Sequence, residues 1–236
     1  VIVEAVAVLE LKDLTVQAGD FTLSAELILA AGQRLAVIGA SGSGKSTLLN
    51  AIAGFLLPDS GQVIIDGVDR SRAKVADRPL SILFQDGNLF PHLSVFDNVA
   101  LGLRSNLQLT GAERARVEKN LIQTGMGGMG ARMPASLSGG QQSRVALARM
   151  LVRDTPLALM DEPFSALDPG LRREMLDLVT QLCDETGLTL VLVTHDLREA
   201  AALCTDLCLL EDGRITTQGP IKTLLADPPA ALTPWL

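Results

Sequence analysis

Apolar residues follow two rhythms along this 236-residue chain. In FTLSAEL, from Phe21 to Leu27, they alternate with polar ones, which predicts a half-buried antiparallel strand. GQVIIDG, from Gly61 to Gly67, reads as part of a hairpin in the same amino-terminal region. RLAVIGA, LALMDEP and LTLVLVTHD differ: each is a short unbroken apolar run that stops at Gly, Asp-Glu or His-Asp. Such runs predict strands of a parallel sheet buried on both faces. KSTLLNAIAG, SGGQQSRVALARMLVRD and LRREMLDLVTQLCDETG carry helical spacing between them. The fold class is therefore α/β, with a mostly parallel core, an amino-terminal antiparallel β region, and ligands expected at the carboxyl ends of the core strands.

From about Asp86 to Pro134 the pattern breaks into short helix-like pieces separated by Gly and Pro, as an inserted helical lobe would. Extended through the helix that follows, the lobe covers residues 86–149, leaving 1–85 and 150–236 as the core of a single domain. GMGGMG, Gly125 to Gly130, matches the spacing of a dinucleotide loop. It follows the helical stretch ERARVEKNLIQT rather than a strand, so it is expected to be a flexible loop only.

Composition narrows the picture little. Hydrophobic residues make up 47% and charged residues 20%, enough for one sizeable core. A net charge of −7 argues against a nucleic-acid partner, which needs a basic face. Cys183, Cys204 and Cys208 read as buried small hydrophobes of a reducing compartment. No apolar run approaches the ~18 residues of a membrane span. The apolar VIVEAVAVLELKDL is interrupted by Glu4 and Glu10 and has no basic prelude, so neither a signal peptide nor an anchor is expected there.

The chemistry concentrates in a few stretches. GASGSGKST, from Gly39 to Thr47, fits G-x-x-x-x-G-K-[ST] between a strand and a helix. Gly39, Gly42 and Gly44, with Ala40, Ser41 and Ser43 among them, let backbone N–H groups and the helix N-terminus wrap a triphosphate. Lys45 is expected on the β- and γ-phosphates and the Ser46 hydroxyl on Mg²⁺, with Thr47 next in the helix. Asp161 ends the run LALM and is placed to hold Mg²⁺ through water. Glu162, one residue on, can take a proton from an attacking water. His195 and Gln85 close the runs LTLVLVT and LSILF, and from spacing alone a structural role and a phosphate contact both remain open. LSGGQ opens a helix with Ser138 and Gln141 in capping-box spacing. A cap needs no glycine pair, and Gly139 with Gly140 costs helix stability, so something is expected to approach that backbone closely.

Taken together these residues resemble the nucleotide-binding subunit of an ABC transporter over nearly the whole chain. GASGSGKST resembles the Walker A loop, LALMDE the Walker B strand, LFQ the Q-loop, LSGGQ the signature, SALD (Ser165 to Asp168) the D-loop and VTHD the switch histidine. The resemblance implies a P-loop ATPase that uses ATP and Mg²⁺. It implies catalytic roles for Glu162, His195, Gln85 and Lys45, with Gln85 also near the metal. It further implies a head-to-tail homodimer in which Ser138, Gly139, Gly140, Gln141 and Asp168 of one copy meet the ATP held by the other. Integral-membrane permease subunits, a periplasmic substrate-binding protein acting through them, and the cytoplasmic face of a bacterial inner membrane follow from the same likeness. Within the family, DRPLSILFQDGNLFPHLSVFDNVALGL and DEPFSALDPGLRREML are similar to the ATPases of thiamine importers, while iron(III), polyamine and molybdate importers have related subunits. A soluble, non-transport ABC ATPase is the alternative of a different class. The chain departs from the family at Gln17 to Gly19, where an aromatic usually stacks on adenine; it has no tyrosine, and Phe21 is the nearest ring.

Overall fold

The computed structural model describes residues 6–85 and 87–235. Strands β1 (Ala7–Ala18), β2 (Phe21–Ala30) and β3 (Arg34–Ile38) lead into α1 (Lys45–Ala53), followed by β4 (Ser60–Ile65) and β5 (Val68–Asp69). Next come β6 (Leu80–Leu83), α2 (Val95–Ala100), α3 (Gly111–Gln123) and α4 (Gly139–Leu151). Then run β7 (Leu157–Asp161), α5 (Pro169–Thr186), β8 (Thr189–Val193), α6 (Leu197–Leu203), β9 (Asp206–Glu211), β10 (Arg214–Pro220) and α7 (Ile221–Ala226). The chain divides into two compact units. One holds residues up to Leu80, Pro156–Glu162 and everything from Val179 on; the other holds Ser81–Thr155 and Pro163–Leu178. The second unit thus contains the 86–149 stretch and adds a piece from beyond β7.

In the first unit the strands lie in the order β5-β4-β1-β2-β10-β9-β3-β8-β7. The amino-terminal part is antiparallel, with β1 between β2 and β4, and β2 buries alternate residues as its sequence requires. β3 pairs in parallel with both β8 and β9, and β8 with β7. Leu35 to Ile38 are fully buried, and Leu157 to Met160 and Leu190 to Val193 are at most 1% exposed, as expected of strands covered on both faces. Glu4 lies outside the described residues, whereas Glu10 falls within β1.

Register fixes where the chemistry emerges. Val37 of β3 pairs with Val193 of β8, and Val193 pairs with Asp161 of β7. The next residues of all three strands therefore leave the sheet at one edge.

The three cysteines are buried free thiols. Burial pushes the Cys183 thiol up to about 11 and the Cys208 thiol up to about 12. Both therefore stay neutral and behave as the small hydrophobes their sequence context implies.

Arg78 is buried deeply for a charged residue, at 1% exposure. Its Nη1 donates to the carbonyls of Ala51 and Ile52 at 2.7 Å each, in the last turn of α1. Nη2 donates to the Ser71 carbonyl at 3.2 Å. Burial pulls its pKa down, opposed by the field of Asp69. The guanidinium thus caps the carboxyl end of the helix that follows the phosphate-type loop. Arg78→Ala is expected to lose roughly 3 kcal/mol in urea unfolding, with Arg78→Lys intermediate. A loss below about 1 kcal/mol would show that water replaces the guanidinium there.

The second unit packs α2, α3 and α4 around Val95, Val99, Val117, Leu121, Val145 and Ala148. GMGGMG is a loop whose Met126 is fully buried in this core, with its N–H donating to the Leu121 carbonyl at 2.7 Å. The glycines at 125 and 128 take positive φ to turn the chain there. The segment expected to be flexible is thus anchored at its centre.

Candidate active site

The loop between β3 and α1 needs its glycines for different reasons. Gly42 (φ 81°) and Gly44 (φ 106°) occupy left-handed conformations that strain other residues. At Gly39 the limit is room: an added Cβ would lie 2.3 Å from the Leu210 carbonyl oxygen, which is backbone. α1 starts from Gly44 without a side-chain cap, so its first-turn N–H groups face the loop. Lys45 Nζ reaches back to the carbonyls of Gly39 (2.6 Å) and Ala40 (2.9 Å). Ser43 Oγ is buried with no hydrogen-bond partner among the described residues. A loop with donors turned inward and a cation at its centre is built for a polyphosphate.

Asp161 and Glu162 follow at the end of β7. Glu162 has φ 44°, outside the usual range for a residue with a side chain, and its N–H donates to the Val193 carbonyl at 2.9 Å. A backbone held this way is a form of strain that clusters at functional sites. Glu162 Oε2 lies 3.1 Å from His195 Nδ1. An ionised carboxylate only accepts, so the pairing places a proton on Nδ1. His195 itself is set by the residues around it. Thr194 Oγ1 donates to the buried Glu199 at 2.5 Å and accepts from the Asp196 N–H at 3.1 Å.

Burial raises the pKa of Asp161, Glu162 raises it further, and Lys45 opposes both. Burial likewise lowers the pKa of Lys45 against the pull of Glu162 and Asp161. A bound cation would relieve the stress on Asp161, and the Ser46 hydroxyl is a second hard oxygen. Among the described residues no group of three or more His, Cys, Asp or Glu could form an all-protein metal cage. This donor set suits Mg²⁺, which takes one or two carboxylates and completes its shell with water and substrate phosphate.

A cavity of about 710 Å³ gathers these residues. Gly39, Ala40, Ser41, Gly42, Gly44, Lys45, Ser46 and Thr47 line it together with Asp161, Glu162 and His195. Besides the His195 imidazole, Phe21 and Trp235 are the rings on its wall among the described residues. Nothing local links Trp235 to a loop nearly two hundred residues away; in the sequence it stands out only as the single tryptophan.

The other expected residues lie in the second unit. Gln85 is exposed just past β6. Ser138 and Gln141 form the full capping box of α4: the Ser138 N–H donates to Gln141 Oε1 at 3.0 Å and the Gln141 N–H to Ser138 Oγ at 3.3 Å. The glycine pair splits in role. A Cβ on Gly140 would collide with Leu171 Cδ1, so this chain's own α5 supplies the close approach, whereas a Cβ on Gly139 would meet nothing within 4 Å among the described residues. Asp168 Oδ1 accepts from the N–H groups of Gly170 (3.1 Å) and Leu171 (3.0 Å), which caps α5 and fixes the residue that covers Gly140.

Comparison with known proteins agrees with this arrangement. Residues 23–165 match the ABC transporter family. The thiamine import ATP-binding protein ThiQ of Jannaschia sp. (strain CCS1) is 60% identical over 228 residues, covering 97% of this chain and 100% of that protein. Among solved structures, cbiO1 from Clostridium perfringens, part of the ABC transporter complex cbiONQ, is 32% identical with a TM-score of 0.84, covering 94% of this chain and 91% of that one. The ATP-binding cassette MJ0796, solved as a dimer in a post-hydrolysis state with ADP and Pi, is 32% identical with a TM-score of 0.76, covering 90% and 98%. A triphosphate loop, two carboxylates and a histidine at one edge of a mixed sheet, with these likenesses over nearly the full length, place the chain: it belongs to the ABC transporter family and is an α/β ATPase that binds ATP with Mg²⁺.

Proposed function

We propose that this chain powers import of thiamine through a separate permease. The observation that carries the cargo is the 60% identity with a thiamine import ATP-binding protein along that protein's whole length. The chain works from the cytoplasmic side of a bacterial inner membrane, docked on integral-membrane permease subunits that receive cargo from a periplasmic binding protein. No helix among the described residues is long and apolar enough to cross a membrane itself. One ABC ATPase domain does this work, with residues 1–85 and 150–236 as its nucleotide-binding core and 86–149 as its helical lobe.

The lining of the cavity supports the roles given to its own residues. Gly39 to Thr47 hold the triphosphate, with Lys45 against the β- and γ-phosphates. Ser46 and Asp161 hold Mg²⁺, which when bound would neutralise charge on the phosphate oxygens, and the likeness of LFQ to the family's Q-loop assigns Gln85 to the same ion. Glu162 takes a proton from the water that attacks the γ-phosphorus, and ADP leaves on the opposite side. His195, on the same cavity wall, contacts the γ-phosphate. Two copies pair head to tail, so that Ser138, Gly139, Gly140, Gln141 and Asp168 close over the partner's ATP. The exposure of Ser138 and Gly139, and the open space at Gly139, support that role.

Deleting the gene tests the cargo. Uptake of labelled thiamine at low external concentration is expected to be lost and to return with the intact gene. Unchanged thiamine uptake together with lost uptake of iron(III), a polyamine or molybdate would reassign the cargo. No transport change of any kind would favour a soluble ATPase.

A further inference from the structure

We propose that the indole of Trp235 is the platform on which the nucleotide base stacks. The inference rests on the ATP site described above and supplies the base-binding side that its phosphate loop lacks. The chain has no tyrosine, and the β1–β2 turn offers Gln17, Ala18 and Gly19 instead of a ring. Gln17 is committed to that turn: Nε2 donates to the Gly19 carbonyl at 2.9 Å, and Oε1 accepts from Thr22 Oγ1 at 2.6 Å. With the His195 imidazole paired to Glu162, Phe21 and Trp235 remain as the other rings on the cavity wall among the described residues.

Phe21 is committed elsewhere. A Cβ built on Gly44 would fall 2.7 Å from its Cζ and 2.9 Å from its Cε1. A Cβ built on Gly213 would fall 3.1 Å from the same Cζ. The tip of the ring is therefore wedged between the residue that starts α1 and the β9–β10 turn. The two backbone segments are themselves joined by a bond from the Gly213 N–H to the Ser43 carbonyl at 3.0 Å. Phe21 thus packs its tip against the phosphate loop, which leaves Trp235 as the ring for the base.

Trp235 is differently placed. It ends a single helical turn, Thr233–Trp235, and is half-buried. The turn is held in place: Leu232 is fully buried, its N–H donates to the Pro229 carbonyl at 2.9 Å, and the Trp235 N–H donates to the Leu232 carbonyl at 3.0 Å. An anchored indole on the wall of a triphosphate cavity offers a π-face to a heteroaromatic base. Stacking of this kind tolerates any base, because every base has a π-face. The ligand class is therefore a purine nucleoside triphosphate read by its ring rather than its substituents, and GTP should bind within about tenfold of ATP.

Trp235 is the single tryptophan of the chain, so its emission reports on this site alone. The full chain is titrated with Mg·ATP, Mg·GTP and Mg·tripolyphosphate, and binding is measured in parallel with radiolabelled ATP. Both nucleotides are expected to change the emission. Tripolyphosphate is expected to displace labelled ATP while leaving the emission as it was. Trp235→Ala should weaken ATP roughly tenfold without altering tripolyphosphate, and Trp235→Phe should recover most of the loss. Equal weakening of both ligands in Trp235→Ala, or unchanged ATP affinity, would overturn the proposal. So would a Phe21→Leu chain that loses the preference for ATP over tripolyphosphate while Trp235→Ala keeps it. A wild-type chain that binds no ATP would instead overturn the nucleotide reading beneath it.

Discussion

Replacing Glu162 by glutamine is expected to leave ATP bound and to slow hydrolysis by roughly 10²-fold or more. Glutamine has the same length and can keep the side chain near His195, but its amide cannot take a proton from water. The backbone that aims it, with φ 44° and the N–H bonded to Val193, is unchanged by the substitution. The phosphate grip is separate, since it rests on the glycine loop and Lys45. Loss of the Glu162 charge also removes one of the two influences that raise the Asp161 pKa, so Asp161 should ionise more readily. Metal binding should therefore hold or improve while turnover falls. Phosphate release and equilibrium ATP binding, measured on the same preparation, separate the two effects. Near-normal turnover with ATP bound would move the base to another residue.

Which parts of this molecule can be read from sequence depends on how far each signal extends along the chain. The core strands were legible because burial on both faces leaves an unbroken apolar run, as in RLAVI and LALM. The shared edge of the sheet was legible for a related reason. Asp161, Glu162 and His195 follow such runs, and parallel pairing of Val37, Val193 and Asp161 then brings the run ends together. The capping box at Ser138 was legible because both of its partners lie within one helical turn.

Signals that depend on distant contacts were lost. The crowding at Gly140 comes from Leu171, which Asp168 holds in place, and no local pattern connects those residues. Arg78 reads as a surface charge until the carbonyls of Ala51 and Ile52 are found around it. The absence of a ring at Gln17 to Gly19 read as a gap in base binding, whereas the cavity has Trp235 on its wall. Pro163–Leu178, which joins the same compact unit as the 86–149 stretch, carries the ordinary pattern of a core helix.

Combining two dead variants is expected to restore ATP burial, and this measurement tests most directly the claim that one copy's signature helix completes the other copy's ATP site. Lys45→Ala removes the cation from the phosphate loop, and Ser138→Arg puts a long charged side chain where the capping hydroxyl of α4 stands. Each variant alone leaves every site of its homodimer with a lesion, so neither should occlude labelled ATP. In a mixed dimer with the signature serving its partner, both lesions fall on one site, and the other pairs an intact loop with an intact helix. The account therefore predicts about one occluded ATP per mixed dimer, the stoichiometry that a single intact composite site allows. Occlusion is read rather than turnover, because a lone intact site need not hydrolyse. Mixed dimers confirmed by cross-linking that retain no labelled ATP would contradict the account, because every site in the mixture would then carry a lesion of its own chain.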